Sequence, residues 1–393
     1  MTNSFCERRS IRFGVVGLGG MGQAHCQTIR RVPHARLVAV CDADAERVRE
    51  IGNRLRLPFF TSVRELVRSG LCDALVIATP HPLHADAALE GLEGGLHVLC
   101  EKPLTERLST AKALVETARR RRLALAVMFQ CRFEPAFLAA RALVASGRLG
   151  CLRRIEMVSP DYRTQAYYDS APWRGTWRGE GGGVLINQAP HLLDQLVQLA
   201  GMPQEVIGRT DTALHRIEVE DRADALLAFP DGAWGYLACS TNEPSPDRHI
   251  TLWADSGVVR YRPLLPLPKR LTVERYAYPL SRHVRTCDEV WGKIAVRSER
   301  IRVRDRAWGQ ADVVADLVRH LLDGDALECS GASALASLEL ANAIALSAWS
   351  GRSVRMPLDM RAYDRLLAGR RRAVCVIKTD RPICRITDPA VRL

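Results

Sequence analysis

The chain lacks three features that would each point to a particular kind of partner. It has no C-x-x-C pair, no basic tract joined to a nucleic-acid-reading motif, and no obvious apolar run long enough to cross a bilayer. Twelve cysteines are spread over 393 residues with irregular spacing, the nearest two being Cys375 and Cys384. That spacing excludes the usual zinc patterns and fits buried, reduced thiols in a cytoplasmic protein, with no metal expected. The formal charge of +12 comes from scattered arginines, clustered only at Arg119–Arg122 and Arg370–Arg372. Such arginines read as solvated surface, so no nucleic-acid partner is expected, although a positive field favours an anionic cofactor or substrate. The lack of a span argues against a membrane partner. Arg8-Arg9 superficially fits a twin-arginine export signal, but the apolar run behind it reads as a strand with no cleavage site, and export is rejected.

What is present is ordinary in composition, 47% hydrophobic and 25% charged, and long enough for two domains. The organising stretch is Ile11–Gly22, IRFGVVGLGGMG. Phe13 to Val16 suits a strand buried on both faces of a parallel sheet. It runs into Gly17-Leu18-Gly19-Gly20-Met21-Gly22, a G-x-G-x-x-G turn that opens a helix. Gly17 permits the tight turn, Gly19 the approach of a pyrophosphate, and Gly22 the packing of helix on strand. The helix N–H groups then face the phosphates. A second apolar run, Leu37–Cys41, ends at Asp42, whose carboxylate suits an adenosine ribose and repels a 2′-phosphate. NAD is therefore expected, with NADP as the alternative. Asp42 could instead cap the helix that follows.

Strands and helices then alternate as far as Val127, with helices at 44–55, 62–69, 82–93 and 106–121 and strands at 58–61, 73–78, 96–100 and 123–127. This is the pattern of a parallel sheet with right-handed crossovers. Thr79-Pro80-His81 and Glu101-Lys102-Pro103 follow strands and should gather with the glycine turn at the cofactor edge. Lys102, kept extended by Pro103, is placed to exchange a proton with a hydroxyl beside a nicotinamide, where burial and the cation would lower its pKa. A lysine that merely ends a strand is the alternative on local sequence.

The ordered set Gly17-x-Gly19-x-x-Gly22, Ala78-Thr79-Pro80, His84 and Gly95-Leu96-His97-Val98-Leu99-Cys100-Glu101-Lys102-Pro103 closely resembles the Gfo/Idh/MocA family of dinucleotide-dependent sugar and cyclitol oxidoreductases. The resemblance is collinear from about residue 11 to 358. It implies an α/β fold: an N-terminal Rossmann dinucleotide-binding domain (1–129), then an α+β domain with a large, mostly antiparallel open-faced sheet (130–362). It also implies that Lys102 is catalytic, and that Gly17 to Gly22, Asp42, Thr79, Pro80, His84, Glu101 and Lys102 line the cofactor.

In the second half, Arg132–Ser146 reads as a helix and Arg153–Ser159 as a strand. The segment Asp161–Arg178 is dense in Tyr, Trp and Arg, which suit a hydroxylated or acidic ring. Tyr162, Arg163, Tyr168, Trp173 and Arg174 are the pocket candidates, with packing at a domain junction as the alternative. In Gly181–Asp194, the spacing of Asn187, His191 and Asp194 places them on one face of a helix. This stretch resembles the family's second signature, in which an aspartate and a histidine four residues apart share the site with the lysine. His191 matches the histidine, whereas Asn187 stands where many members have aspartate. Asparagine cannot take a proton, so Lys102 and His191 carry the acid–base work and Asn187 positions the substrate. Asp194 reads as structural.

Strands at 205–209, 223–229, 233–241, 250–254, 258–261 and 271–276 continue the sheet, with a turn at Pro230-Asp231-Gly232. An apolar open face needs a cover, so a homo-oligomer, dimer or tetramer, is expected. Helices are expected at 310–322 and 333–350. The Pro-broken 262–306 reads as an irregular excursion, and 363–393 as a basic tail without assigned role, either an arm across a neighbouring subunit or disorder.

The function expected is hydride transfer between NAD(P) and a secondary alcohol or ketone of a sugar, glycoside or cyclitol, with Lys102 and His191 as proton relay and Asn187 beside them. The rival readings are an NAD-recycling glycoside hydrolase or eliminase on the same fold and a non-catalytic sugar or nucleotide sensor.

Overall fold

The computed structural model describes residues 10–245, 247–263, 270–299 and 301–373. Cys6, Arg8, Arg9, Pro266, Pro268, Cys375, Pro382, Cys384 and Pro389 lie outside the described residues, and with them the export motif and most of the basic tail. Among the described residues, one compact unit takes in the chain up to Gln130 together with Gly309–Leu335. The other takes in Cys131–Trp308 and the chain from Ala336 onward.

The first unit alternates β1 (Ile11–Val16), α1 (Gly20–Ile29), β2 (Ala35–Cys41), α2 (Ala45–Leu55), β3 (Phe59–Phe60), α3 (Val63–Arg68), β4 (Ala74–Ile77), α4 (His84–Glu93), β5 (His97–Cys100), α5 (Leu108–Arg121) and β6 (Leu125–Val127). The strands pair in parallel in the order β3-β2-β1-β4-β5-β6. Phe13, Val15 and the whole of β4 are buried, which is why these strands read as unbroken apolar runs rather than alternating ones. The order reverses between β1 and β4, so the loops leaving those two strands diverge and open a crevice at the carboxyl edge of the sheet. Asp44 starts α2 by accepting the N–H groups of Glu46 and Arg47 at 3.1 and 3.0 Å, an N-cap that satisfies donors the helix cannot.

The second unit comprises α6 (Pro135–Ala145), β7 (Leu152–Pro160), α7 (Gln165–Asp169), α8 (Pro190–Ala200), β8 (Glu205–Asp211), β9 (Arg222–Ala228), β10 (Trp234–Ser240), β11 (His249–Ala254), β12 (Gly257–Tyr261), β13 (Leu271–Tyr276), α9 (Leu280–Thr286) and β14 (Val296–Glu299). Helix α10 (Gln310–Asp323) returns to the first unit, where it packs on α1 and β2. Then come α11 (Gly331–Ser350), β15 (Val354–Arg355) and α12 (Met360–Ala373). The nine described strands of this unit's sheet run β14-β13-β12-β11-β7-β10-β9-β8-β15, antiparallel except for the β7–β10 pair. One face is core: Ala223, Ala225 and Leu227 on β9 and Leu237 and Cys239 on β10 are buried. The other carries Tyr236 opposite Leu226, and Leu226 opposite Ile207, all exposed.

Three expectations change. Gly309–Leu335 joins the first unit rather than the second. The proposed boundary at 362/363 falls inside α12, whose Tyr363 and Leu367 are buried, with Tyr363 stacked on Trp349 at 5.3 Å. Those two residues, four apart, form an inner face that the basic composition concealed. Finally, α11 is a 20-residue apolar helix that meets bilayer length, so the reading that no segment does so is corrected. Leu340, Ile344 and even Asn342 are buried, and Ser347 Oγ accepts the Gly208 N–H at 2.8 Å. Helix α11 is apolar because it is packed inside protein.

Among the described cysteines none is in a disulfide, and burial pushes Cys26 and Cys41 up to about 12, although Cys151 is exposed. Arg132 and Asp194, 1% and 2% exposed, form a forked ion pair with Nε donating to Oδ2 at 2.8 Å. Asp194 is thereby structural. Asp194→Ala strands a buried guanidinium and is expected to cost about 3–5 kcal/mol in urea unfolding. The double replacement Arg132→Met/Asp194→Leu should recover most of it, and an unchanged midpoint in the single variant would contradict this assignment.

Candidate functional site

The first unit assembles its site from turns that follow β1, β2, β4 and β5. Gly17 adopts φ +87°, and a Cβ there would lie 2.7 Å from the Ala78 carbonyl oxygen. A Cβ on Gly22 would lie 1.7 Å from the Gly17 carbonyl oxygen. The glycines are therefore dictated by backbone crowding, with Gly22 excluded from carrying a side chain by the turn itself more than by the strand. Helix α1 begins at Gly20 after Gly19 with no side-chain cap, which leaves its first N–H groups for an anion. Leu18 is buried, Met21 half-buried and Gly20 exposed. Asp42 closes the turn from the next strand, where its carboxylate accepts the Leu18 N–H at 2.7 Å and the Asp44 N–H at 2.9 Å, with Arg47 at 3.2 Å. Since Asp44 is the cap of α2, Asp42 is not.

Two buried histidines brace the edge, and only one of them was visible as a candidate. His84 is fully buried, its Nδ1 2.7 Å from the Pro103 carbonyl oxygen and its Nε2 2.9 Å from that of Thr79. Burial holds it below the ordinary histidine range, and the neutral ring donates to one of the two carbonyls. It thus joins the Thr79-Pro80 turn to the Lys102–Pro103 peptide, which is cis. His84 thereby ties together the two turns that border the cofactor edge. His25, on the inner face of α1, was missed; its Nε2 lies 2.8 Å from Glu101 Oε1. Its position three residues after Gly22 was the available signal. Glu101 Oε2 also accepts the Lys102 N–H at 3.2 Å. Lys102 is half-buried, and so is Thr79, whose Oγ1 is buried without a partner among the described residues.

In the second unit the structure redistributes the candidates. Pro190 has no N–H and starts α8, so Asn187 lies before the helix, in a hydrogen-bonded turn where its N–H reaches the Gly183 carbonyl at 2.9 Å. The expectation that Asn187, His191 and Asp194 share one helical face is corrected on that ground; His191 sits half-buried in the first turn of α8. Tyr168 is 1% exposed and its hydroxyl pairs with Thr241 Oγ1 at 2.9 Å, so it belongs to the core and leaves the substrate list. Its neighbour Tyr167, which sequence reasoning missed, is instead the polar hub of this segment. The Tyr167 hydroxyl oxygen receives Arg174 Nη1, Asn187 Nδ2 at 3.0 Å and Gln188 Nε2 at 3.3 Å. Arg174 lies between the rings of Tyr167 and Trp173, at 4.3 and 4.5 Å. Arg163 approaches the Tyr167 ring at 5.2 Å and Tyr162 is half exposed. Arg178 instead donates to the Arg371 carbonyl.

Two carboxylates lie under this cluster. Glu180 is buried and takes the Asn187 amide and the Gly175 N–H at 2.6 Å. Glu220 takes the Gly183 and Leu185 N–H groups at 2.8 and 3.3 Å. A Cβ on Gly183 would sit 1.7 Å from the Glu220 carbonyl oxygen, so this turn must be glycine. Asp221 organises the adjoining loop through the N–H groups of Ala213, Leu214 and His215. Burial pulls Asp221 upward, yet those bonds hold it below the ordinary carboxylate range.

Comparison with known proteins agrees with this layout. The family model described as an oxidoreductase family with NAD-binding Rossmann fold matches residues 11–129, and the GFO/IDH/MocA C-terminal domain matches 137–260. Inositol 2-dehydrogenase of Rubrobacter xylanophilus is 42% identical over 37% of this chain, which spans 42% of that protein's length. An uncharacterized oxidoreductase of Bacillus subtilis is 30% identical over 58% of this chain and 67% of its own. Among solved structures, the WlbA dehydrogenase of Bordetella pertussis, in complex with NADH and UDP-GlcNAcA, superposes with a TM-score of 0.77 at 29% identity. That match covers 89% of this chain and all of the other.

Burial raises Glu220 to about 7. Because the folded value lies above the unfolded one near 4.5, the stability linked to this proton is complete below about pH 4.5 and is lost as pH rises through 7, about 3 kcal/mol in all. Glu220→Gln carries no such proton. Its melting temperature relative to the unaltered protein is expected to climb from pH 5 to pH 8, and a flat difference would contradict the assignment.

Proposed function

The chain belongs to the Gfo/Idh/MocA family of NAD-binding oxidoreductases, and on that premise we propose that it interconverts a secondary alcohol and a ketone on a sugar, glycoside or cyclitol. One observation carries the reading: the crowded glycine turn and Lys102 stand at the same carboxyl edge of one parallel sheet, and His84 and the His25–Glu101 pair brace that edge.

The residues present fit the cofactor. Gly17 and Gly22 leave no room for side chains, the turn presents the uncapped start of α1 to a pyrophosphate, and the Asp42 carboxylate suits ribose hydroxyls. When bound, the nicotinamide takes or supplies the hydride. Lys102 takes the hydroxyl proton during oxidation and returns it during reduction, with His191 sharing the relay. Asn187 takes no proton. Its amide is committed to Glu180 and Tyr167, so it orients the cluster. The named ligands of the relatives, an inositol and UDP-GlcNAcA, both carry ring hydroxyls, and Arg174, Trp173, Arg163 and Tyr162 suit such a ring with or without an acidic group. The same reading puts the enzyme in the cytoplasm, in keeping with the lack of a disulfide among the described cysteines.

An absorbance scan at 340 nm with NAD, and separately NADP, against inositols, glucosides, sugar acids and nucleotide sugars tests the reaction. Growth of the reduced-nicotinamide band with NAD is expected, and Lys102→Ala should lower turnover at least a hundredfold with cofactor affinity nearly intact. Turnover unchanged by that substitution would end the assignment. A flat trace accompanied by aglycone release would favour the hydrolase instead.

The exposed row Ile207, Leu226 and Tyr236, with Trp234 beside it, leaves the sheet face apolar. We assign this face to a second copy of the chain. Sedimentation at micromolar concentration should give a dimer or tetramer, with Leu226→Glu shifting it towards monomer; a monomeric unaltered protein would rule the assignment out.

A further inference from the structure

We propose that Arg47 sets the choice between NAD and NADP: it competes with the adenosine ribose for Asp42 and supplies the positive charge that a 2′-phosphate needs. This rests on the cofactor reading above and is independent of which ring is oxidised.

An ionised carboxylate accepts at about four lone-pair positions, and those of Asp42 are taken. Its Oδ2 receives the Leu18 N–H at 2.7 Å and Arg47 Nη1 at 3.4 Å. Its Oδ1 receives the Asp44 N–H at 2.9 Å and the same Nη1 at 3.2 Å. The two backbone donors are fixed by the turn after β1 and by the start of α2. Arg47 instead reaches Asp42 with a side chain that is 46% exposed, against 10% for that of Asp42. Ribose hydroxyls that donate to Asp42 therefore take the place of Arg47, because it is the donor that can move. NAD binds in competition with an ion pair.

Displaced from Asp42, the guanidinium stays at the ribose end. Its Nη2 is 2.9 Å from Asp44 Oδ2, and Asp44 is itself held as the cap of α2 by the N–H groups of Glu46 and Arg47. The fork of an arginine matches phosphate oxygens in a way that hydroxyls do not exploit, and an arginine near the ribose is the group that accommodates a 2′-phosphate in folds of this kind. Arg54, the other guanidinium near the glycine turn, is engaged elsewhere. Its Nη2 donates to Gln23 Oε1 at 2.9 Å, and its Nη1 lies 3.5 Å from Glu50.

The balance of charge decides how far the preference moves. Asp42, Asp44 and, in the first turn of α2, Glu46 gather at this corner, and Arg47 pairs with two of the three. With Arg47 present, the repulsion that Asp42 alone would exert on a 2′-phosphate is blunted, so NAD is the better ligand while NADP still binds. Without it the carboxylates are unopposed. NADP then meets only like charge, whereas NAD gains an Asp42 that no longer has to be vacated.

The test titrates the full-length protein with NADH and, separately, NADPH, following nicotinamide fluorescence, so that no turnover is needed. The unaltered protein is expected to bind both, NADPH about tenfold more weakly. Arg47→Ala and Arg47→Gln should each tighten NADH about twofold and weaken NADPH about tenfold. Shifts of opposite sign separate this role from a structural one, since a loosened α2 would weaken both cofactors. Arg49→Ala removes an equal charge from the exposed side of the same helix and should leave the ratio of the two affinities within about twofold, because exposed charges at a distance are screened. Both cofactors weakening together in the Arg47 variants, an unchanged ratio, the same shift in Arg49→Ala, or NADH binding with no detectable NADPH binding to the unaltered protein would each overturn the role of Arg47 alone. Binding of neither cofactor to the unaltered protein would overturn it together with the cofactor reading beneath it.

Discussion

The Gly17 carbonyl oxygen stands 1.7 Å from where a Gly22 side chain would begin, and the first unit depends on that lack of room. The contact draws the start of α1 against the end of β1. It points the uncapped N–H groups of α1 into the crevice where the strand order reverses between β1 and β4. The remaining cofactor edge is fastened to this turn by hydrogen bonds. Asp42 reaches it from β2, His25 carries the hold from α1 to Glu101, and His84 links the turn after β4 to the turn after β5. Lys102 is presented by a backbone secured at several points, as proton transfer at a defined atom requires.

The second unit solves a different problem, that of keeping several polar groups out of water. Glu180, Glu220 and Asp221 are buried, and each is met by backbone N–H groups from turns that would otherwise be irregular. Carboxylates satisfied in this way impose geometry on loops that have no ladder of their own. The cluster around Tyr167 is built on those loops. Burial raises Glu220 while N–H bonds lower Asp221, although they are adjacent in sequence. Both accept backbone N–H bonds, which outweigh burial at Asp221 but not at Glu220.

Much of the first unit could be read in the chain because its signals are local. Apolar runs such as Ala74–Ile77, glycines at fixed spacing and the Asp44 cap each act within a few residues of themselves. The strands of the second sheet were legible for the same reason, since β9 and β10 alternate buried and exposed positions. The breaks came where local signals conflict or are silent. Pro190 interrupts what looks like one helical face from Asn187 to Asp194. Helix α12 has too basic a composition to advertise the buried pair Tyr363 and Leu367.

Sequence alone determined the dinucleotide turn, the parallel order implied by alternating elements, and the family, because each rests on spacing that a linear chain displays. It could not tell Tyr167 from Tyr168. Helix α7 is only five residues long, too short for a period to show which side faces inward. Its phase is set from far along the chain, where Thr241 takes the Tyr168 hydroxyl and Asn187, Gln188 and Arg174 converge on that of Tyr167. Which tyrosine became core and which became the polar hub was decided only when those distant donors came together in the folded unit.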